Sequence, residues 1–373
     1  MLSDEEKKEL EKQQYRIVGS HSAVKVCGWT KKMIKGEGGC YKFKFYGIRS
    51  NQCLQMSTSL SCANRCIFCW RGHKAPVSKE WKWDVDDPSL ILDGSIKAHH
   101  DLLAGLKGYA GVDMEAYNES NDVRHVAISL TGEPIIYPKI NEFIEECNNK
   151  KISTFLVTNA QYPEQIRDLG PVTQLYISLD APNKELLNEV DVPLFSDYWE
   201  RLEKSLDFFK DKKCRTCIRL TVIKGLNDND LDNYAKLIIK GDPDFIEVKS
   251  YMFIGASRQR LKIENMPFHE DVVDFSKKLN ELLPEYDIVS EHIASRVVML
   301  AKKKYFIEGK WKTWIDFNKY NELVLGGKEF SSEDYLLETP RVGLSGKTTQ
   351  DYASYRDNKA EEVEFWEEEL KNF

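Results

Sequence analysis

The chain has 373 residues, of which 42% are hydrophobic and 30% are charged, and its formal net charge is −7. This composition excludes wholesale disorder, and the length is sufficient for one sizeable core. The N-terminus is charged from Asp4 and no apolar run approaches the length of a membrane span, so we expect a cytoplasmic protein without a membrane partner. Nine cysteines, an odd number, argue against a disulfide framework and favour a reducing compartment.

Residues 1–20 have the pattern of a charged helix that leads into the core, and the segment after them is strongly basic. Residues 21–79 contain eleven Lys and Arg against one acid, Glu37, so the acidic excess lies in the rest of the chain. Because a local positive field attracts polyanions, a nucleic acid can dock on this segment despite the negative net charge. A solvated lysine-rich surface is the alternative, but these cations are interleaved with cysteines.

Three evenly spaced cysteines, Cys27, Cys40 and Cys53, form the first triplet. Their wide spacing allows three separate loops or strand ends to converge on one cluster, and no short zinc-finger motif has it. The alternative is three buried structural cysteines. Lys42 lies two residues after Cys40, so its amine would be within a side chain's reach of such a cluster. Nearby cations would lower its pKa, and a neutral lysine can form a Schiff base with a ketone.

The second triplet, Cys62, Cys66 and Cys69, has the spacing CxxxCxxC and follows a strand predicted at 54–59. Three thiolates on one short loop can hold three irons of a [4Fe-4S] cluster and leave the fourth iron open to an exchangeable ligand. A structural zinc would need a fourth protein ligand, which His73 could supply. The spacing favours the cluster with an open iron.

The middle of the chain alternates between strand and helix patterns, which predicts an α/β fold with a parallel sheet curled into a barrel. Helices are predicted at 198–210, 230–239 and 271–283. In such a sheet the chemistry lies at the C-terminal ends of the strands. Counting the strand before Cys62 gives about six βα units, with strands predicted at 54–59, 125–130, 153–157, 174–179, 217–223 and 245–250 and a further candidate at 286–290.

Together these patterns resemble the radical S-adenosylmethionine (SAM) enzymes and, among them, the tRNA 4-demethylwyosine synthases. The resemblance extends over residues 20–300 and rests on both cysteine triplets and on segments 36–38, 40–48 and 68–71. It implies a partial (β/α)6 radical SAM barrel with N-terminal and C-terminal extensions. It also implies two [4Fe-4S] clusters, one at Cys62, Cys66 and Cys69 that binds SAM, and a second at Cys27, Cys40 and Cys53.

The resemblance assigns the SAM contacts to the ends of the predicted strands. Thr131, Gly132, Glu133 and Pro134 resemble the Gly-Gly-Glu-Pro motif that holds the SAM amino group, with Thr131 in place of the first glycine. This departure is mild, because backbone carbonyls and Glu133 make the contacts. Without the resemblance, each polar strand-end residue would be interpreted as a cap or a turn. The residues expected to meet the ribose and carboxylate of SAM are Asn159, Ser178, Asp180, Arg219 and Thr221.

The resemblance implies synthesis of 4-demethylwyosine. A SAM-derived radical would remove hydrogen from the methyl group of N1-methylguanosine next to the anticodon of tRNA-Phe, and condensation with pyruvate would form the tricyclic base. Lys42 would carry pyruvate as an imine, or the second cluster would chelate pyruvate while Lys42 steers its charge; Lys44 could substitute in either role. Fused members of the family have a flavodoxin-like domain before the barrel; we expect none here and therefore expect an external electron donor of the flavodoxin or ferredoxin type. We also expect a monomer.

Two other functions remain open from the sequence alone. One is a radical SAM enzyme with an auxiliary cluster that acts on a peptide or a small molecule. The other is a non-catalytic, metal-stabilised RNA-binding or electron-transfer protein. Formation of deoxyadenosine would separate both enzymes from the non-catalytic protein.

We divide the chain into an N-terminal extension with the second-cluster cysteines (1–53), the barrel (54–300) and a C-terminal extension with an acidic tail (301–373). In this last part, 302–304 and 310–314 mix cations with aromatic residues, which suits stacked bases and phosphates but also suits packing on the barrel. Cys214 and Cys217 form a CxxC motif, which can indicate redox chemistry or a metal, although we favour two buried core residues.

Overall fold

The computed structural model describes residues 4–72, 75–327 and 329–349. In this part of the chain ten strands form one sheet, in the order β1-β2-β3-β4-β5-β6-β7-β8-β10-β9. In chain order they are β1 (Arg16–Val18), β2 (Ser22–Val24), β3 (Cys53–Ser57), β4 (His125–Ile128), β5 (Ser153–Thr158), β6 (Gln174–Ser178), β7 (Arg215–Val222), β8 (Phe245–Ser250), β9 (Tyr286–His292) and β10 (Val297–Lys302).

Strands β3 to β8 are parallel and neighbour one another in chain order, which confirms the six predicted βα units and the α/β partial barrel. The further strand candidate at 286–290 is a strand, but it does not form a seventh parallel βα unit. It belongs to β9, which pairs antiparallel with β10, and β10 pairs antiparallel with β8. The hairpin of β1 and β2 extends the other side of the sheet, antiparallel to β3.

Twelve α-helices are found in the described residues, and the three predicted at 198–210, 230–239 and 271–283 are among them. The charged helix expected near the N-terminus is also present. The helices are α1 (Asp4–Lys12), α2 (Gly28–Ile34), α3 (Tyr41–Tyr46), α4 (Pro88–Ala104), α5 (Met114–Glu119), α6 (Ile140–Asn149), α7 (Pro163–Asp168), α8 (Lys184–Asp191), α9 (Tyr198–Lys210), α10 (Leu231–Gly241), α11 (His269–Glu281) and α12 (Phe317–Leu325).

Alternation along the strands sends side chains to two different cores. In β7, Ile218 and Leu220 belong to the large core that also includes residues of the surrounding helices. Cys217 points to the other face and packs in a second core with Phe155 and Tyr176 of neighbouring strands. Because successive strand residues point to opposite faces, polar residues two and four positions after Cys217 also point into the barrel.

The N-terminal and C-terminal extensions both pack against this inner core. Helix α3 contributes Phe45 to it, and Thr313 Oγ1 donates a hydrogen bond to the Phe45 carbonyl at 2.7 Å. Four short strands follow the barrel: β11 (Phe306–Ile307), β12 (Lys310–Trp311), β13 (Trp314–Ile315) and β14 (Leu336–Leu337). Trp314 is buried and its Nε1 donates to the Lys44 carbonyl at 2.9 Å, so this part of the cation and aromatic segment packs on the protein.

The domain boundaries at 53 and 300 stay predictions. The acidic tail and His73, the alternative zinc ligand, lie outside the described residues. No described helix is long and apolar enough to cross a membrane. All nine cysteines are free thiols, and Cys147, Cys214 and Cys217 are buried.

Candidate functional site

The loop that follows β3 carries the CxxxCxxC triplet, at the edge of the sheet where parallel strands end. Cys66 and Cys69 line a cavity of about 180 Å³ together with Arg65, Arg71 and Arg260. No three His, Cys, Asp or Glu side chains of the described residues converge closely enough to hold a single metal ion. A [4Fe-4S] cluster has no such requirement, because it presents each thiolate to a different iron.

Two arginines hold this cluster loop by its backbone. Arg71 Nη1 donates to the Leu60 carbonyl at 3.1 Å, and Arg260 Nε donates to the Ile67 carbonyl at 2.8 Å. The other end of the Arg260 guanidinium contacts the Cys69 carbonyl. Burial raises the pKa of Cys62 to about 12, so the free thiol is protonated and a metal would replace its proton. The sequence analysis missed Arg260, which is distant from the motif along the chain.

The Thr131–Pro134 turn after β4 lies directly against this loop. Gly132 has φ of +69°, and a Cβ placed on it would lie 2.0 Å from the Ser59 carbonyl oxygen. The next amide, of Glu133, donates to the Ser61 carbonyl at 2.7 Å. The Pro134 carbonyl accepts a hydrogen bond from Thr58 Oγ1 at 2.9 Å. Glycine is therefore needed at 132, both for its conformation and for the close approach of two backbones.

Glu133 and Asn159 connect the turn to the first cysteine. The Asn159 backbone amide donates to Glu133 Oε2 at 2.9 Å, and its side-chain Nδ2 donates to Cys62 Sγ at 3.4 Å. Glu133 Oε1 is buried and has no hydrogen-bond partner among the described residues. Burial raises the pKa of Glu133 to about 7. A buried acceptor without a donor fits the amino group of SAM, which the resemblance places here.

A second unsatisfied acid lies at the ends of β6 and β7. Asp180 hydrogen-bonds with Thr221, yet its Oδ1 is buried without a partner among the described residues. Burial raises the pKa of Asp180 to about 6. Ser178 is half-buried at the end of β6. The structure therefore brings Asp180 and Thr221 together.

The sequence analysis missed Asp191, the last residue of α8. Asn64 Nδ2 donates to Asp191 Oδ2 at 3.0 Å, and the carboxyl group also hydrogen-bonds with Cys66. Burial raises the pKa of Asp191 well above its usual range. Its position inside an ordinary amphipathic helix gave no signal in the sequence.

The first triplet lies at the starts of three elements, which explains its wide spacing. Cys27 precedes α2, Cys40 precedes α3 and Cys53 begins β3. Cys40 does not use its thiol to cap its helix. Burial first, and the neighbouring Cys40 thiol second, raise the pKa values of Cys27 and Cys53. The three thiols therefore lie in one region, as the sequence predicts.

Lys42 projects from α3 into the barrel, where it is only 9% exposed. Its Nζ lies 4.9 Å from the centroid of the Tyr176 ring on β6. The pKa of Lys42 is lowered, as predicted, but burial is the main cause and the nearby Arg219 the second. Lowering the pKa raises the fraction of neutral amine, the form that attacks a carbonyl carbon.

Arg219 lies with Lys42, at a layer of β7 below Thr221. Its Cζ is 4.8 Å from the same Tyr176 centroid, and its Nε donates to Glu247 Oε2 at 2.9 Å. The other oxygen of Glu247 accepts from the Tyr46 hydroxyl at 2.9 Å. The sequence analysis did not select Glu247, although an acid at an inward position of a buried strand was visible in 245–250.

Two family models match the chain: residues 109–238 match the radical SAM superfamily and residues 240–302 match wyosine base formation. The tRNA 4-demethylwyosine synthase of Oryza sativa is 51% identical over 340 residues, covering 90% of this chain and 52% of that protein. The Homo sapiens enzyme, TYW1, is 45% identical over 375 residues, covering 97% and 51%. The chain thus spans about half the length of the curated relatives it matches.

Two solved structures match almost over their whole length. A structure of TYW1 with a lysine-pyruvate adduct bound is 37% identical with a TM-score of 0.73, covering 82% of this chain and 97% of that chain. Archaeal TYW1 is 34% identical with a TM-score of 0.67, covering 82% and 98%. Radical SAM membership implies SAM and a [4Fe-4S] cluster as cofactors. The chain belongs to the radical SAM family of tRNA 4-demethylwyosine synthases.

Proposed function

We propose that the protein converts N1-methylguanosine, next to the anticodon of tRNA-Phe, into 4-demethylwyosine with SAM and pyruvate. The observation that carries this proposal is the arrangement about β3. Cys53 begins this strand, the Cys62 loop follows its end, and Lys42 lies inside the same barrel. Four steps along a strand correspond to roughly 13 Å, so the two triplets are suited to hold separate groups that face one interior.

A bound cluster would supply the electron for reductive cleavage of SAM, and the radical formed from SAM would remove hydrogen from the methyl group of the base. The protein's own residues bind and orient the reactants. Glu133 would accept a hydrogen bond from the SAM amino group through its unsatisfied oxygen. Asp180 and Asn159 would meet the ribose and carboxylate, with Ser178 and Thr221 beside them. The Arg260 contacts would hold the cluster loop in place.

We assign the second [4Fe-4S] cluster to Cys27, Cys40 and Cys53. Support comes from their convergence, from their free thiols and from the helix cap at Cys40, which does not use the sulfur atom. Three thiolates again leave one iron open.

Pyruvate would react with Lys42 as an imine. The lysine amine adds to the ketone carbon, and the ketone oxygen leaves as water while the C=N bond forms. Burial of Lys42 supports this scheme, since it favours the nucleophilic neutral amine. The lysine-pyruvate adduct in the solved TYW1 structure also favours the imine over chelation by the second cluster. Lys44 is the weaker candidate, because side chains two residues apart on a helix such as α3 do not face the same side.

The tRNA would bind the basic segment 21–79. Not all of its cations are available, since Lys42 is buried in the barrel and Arg49 pairs with Glu119 at 2.8 Å. Two of the three competing lysines at 302–304 are engaged in ion pairs: Lys302 pairs with Asp242 at 2.6 Å, and Lys304 pairs with Asp244 and Glu333. We further propose a monomer in the cytoplasm that receives electrons from an external flavodoxin or ferredoxin.

The test is product formation by anaerobically reconstituted protein with methylguanosine-containing tRNA, SAM, pyruvate and a reductant, measured by nucleoside mass spectrometry. We expect product from the wild type. Lys42→Ala should retain its iron and uncoupled deoxyadenosine formation but lose at least about 99% of product, because it serves a step after SAM binding. Lys44→Ala is the matched control and should keep product.

The rival functions predict different results. Deoxyadenosine without modified tRNA in the wild type would favour a radical SAM enzyme for a peptide or small molecule. Absence of deoxyadenosine, with tRNA still bound, would favour the non-catalytic RNA-binding protein.

A further inference from the structure

Two further basic side chains share the barrel layer of Lys42. Lys42, Arg219 and Lys249 all face the same interior layer, and Glu247 is the one carboxylate that contacts them among the described residues. Lys249 Nζ lies 5.7 Å from the Tyr41 centroid and donates to the Ser295 carbonyl at 2.7 Å. An arginine stays charged when it is buried, so an anion beside Arg219 would gain a charge-assisted hydrogen bond.

Two hydrogen-bonding groups in this layer lack a partner among the described residues. One is Arg219 Nη2, whose guanidinium is already fixed at Nε by the fully buried Glu247. The other is the hydroxyl of Tyr176, the residue whose ring both Arg219 and Lys42 cover. Buried donors are nearly always satisfied in proteins, so both point to a bound acceptor.

The chemistry of the acceptor follows from its neighbour. Lys42 needs a carbonyl carbon, while a fixed guanidinium and a phenol need oxygen acceptors, ideally ionised. In a 2-oxo acid the ketone and the carboxylate are adjacent, so one small molecule satisfies both requirements.

We propose that Arg219 and Tyr176 bind the carboxylate of the 2-oxo acid that condenses with Lys42, and so select such acids over neutral ketones. This inference rests on the proposed function. It differs from the role that the sequence resemblance gives Arg219, a contact with SAM. The ion pair with Glu247 and the ring shared with Lys42 place the guanidinium in the Lys42 layer instead.

The experiment traps the imine on cluster-loaded protein and counts the adduct by mass spectrometry. Cyanoborohydride delivers a hydride to the imine carbon and leaves a stable secondary amine on Lys42. Two probes are compared: labelled pyruvate, which has a carboxylate, and hydroxyacetone, which lacks one. In Arg219→Gln, the pyruvate concentration for half-maximal trapping should rise at least about tenfold, because a charge-assisted hydrogen bond is lost. The hydroxyacetone concentration for half-maximal trapping should change less than about twofold, because this probe has no carboxylate.

Further variants keep the test independent of folding defects. Tyr176→Phe removes only a hydroxyl. It should raise the pyruvate concentration for half-maximal trapping by a smaller factor than Arg219→Gln does. Arg219→Lys keeps the charge, so its pyruvate concentration for half-maximal trapping should lie between the values of the wild type and Arg219→Gln. Arg124→Gln is the matched control, since this exposed arginine pairs only with Asp122 among the described residues. Iron content and thermal melting verify that each variant is folded.

The opposite results are distinct. If the concentration for half-maximal trapping rises equally for both probes, Arg219 acts on the reactivity of Lys42. If it is unchanged for both probes, Arg219 has no role in binding them. Either result overturns the inference. Weakened SAM binding with normal pyruvate trapping in Arg219→Gln would show that Arg219 contacts SAM, as the sequence resemblance implies. If the wild type forms no adduct with either probe, the imine scheme itself fails and the inference fails with it.

Discussion

Burial controls the ionisation of the acids that face the SAM region. The pKa of Glu133 is raised to about 7 and that of Asp180 to about 6, in both cases mainly by burial. Only the ionised carboxylate accepts hydrogen bonds on both oxygens. Glu133 already uses Oε2 for the Asn159 amide, so the proton would occupy the oxygen intended for SAM.

SAM affinity should therefore depend on pH through Glu133. Because the pKa in the folded protein is raised from 4.5 to about 7, the carboxyl is protonated below that pH and must lose its proton when SAM binds. We expect the dissociation constant of SAM, measured by equilibrium dialysis, to rise towards tenfold per pH unit as the pH falls below about 7. Glu133→Gln should bind weakly without this dependence. A flat wild-type profile between about pH 5.5 and 8 would contradict the assignment.

A second residue-scale prediction concerns Gly132. Gly132→Ala should lower the free energy of unfolding by at least about 2 kcal/mol, since its Cβ would collide with the Ser59 carbonyl in a left-handed conformation. SAM binding should weaken too, because the turn aligns Glu133. Denaturant unfolding provides the measurement. Gly105→Ala is the control, because nothing lies within 4 Å of its Cβ position; equal effects of the two substitutions would contradict the steric argument.

At the scale of elements, helix α2 combines a metal-site residue with the basic surface. Cys27 precedes the helix, while Lys31 and Lys32 lie in its last turn. Lys32 Nζ is 4.5 Å from the Trp29 ring centroid, and Lys35 Nζ is 5.7 Å from that of Tyr109. A nucleic acid bound here would meet cations and aromatic rings close to the second triplet.

Affinity for tRNA should therefore fall steeply with salt. If about five cations of segment 21–79 contact phosphates, the slope of log K against log salt is about −3 to −4. Replacing Lys31, Lys32 and Lys35 together by Ala should flatten the slope by about two units and leave the iron content unchanged. Filter binding over a salt series gives the slope.

The matched control removes three exposed lysines outside this segment and should leave the slope unaltered. These are Lys97, Lys236 and Lys277. An unaltered slope in the Lys31, Lys32 and Lys35 variant would place the tRNA on another face.

At the scale of the whole molecule, β3 joins two separate sites. Its first residue, Cys53, belongs to one triplet and the loop after its last residue carries the other. The inner core contains residues from α3, the barrel strands and the C-terminal extension, so both sites depend on a single packed interior. Substitution of the cysteines alone removes the ligands of one cluster and leaves this interior intact. The other cluster should therefore stay in place.

The anaerobic protein should bind about eight irons, as two four-iron clusters. Changing Cys62, Cys66 and Cys69 together to Ala should leave about four, and the same change at Cys27, Cys40 and Cys53 should also leave about four. Colorimetric iron analysis and electron paramagnetic resonance distinguish the two clusters. Cys147→Ala, in α6, should not alter the count. Zinc as the main metal would contradict both clusters, and about four irons in the wild type would remove the second.

The sequence by itself determined the order of the parallel strands and most candidate site residues. Strand pattern depends on local alternation of side chains, and the six strands were found within a few residues of their ends. The compact spacing of Cys62, Cys66 and Cys69 also indicated its chemistry, because all three ligands come from one loop. The antiparallel direction of β9 was not predictable, since alternation does not reveal strand direction.

Only the tertiary structure decided which polar residues act together. Arg219 and Thr221 are two residues apart in β7. Arg219 pairs with Glu247 in the layer of Lys42 and its charge also acts on Asp180, whereas Thr221 hydrogen-bonds with Asp180 directly. Arg260 and Asp191 reach the cluster loop from distant segments and had no local signal. The ionisation of the site residues also depends on the fold. The pKa values of Lys42 and Glu133 are shifted mainly by burial, and burial is a property of the packed barrel that no short segment encodes.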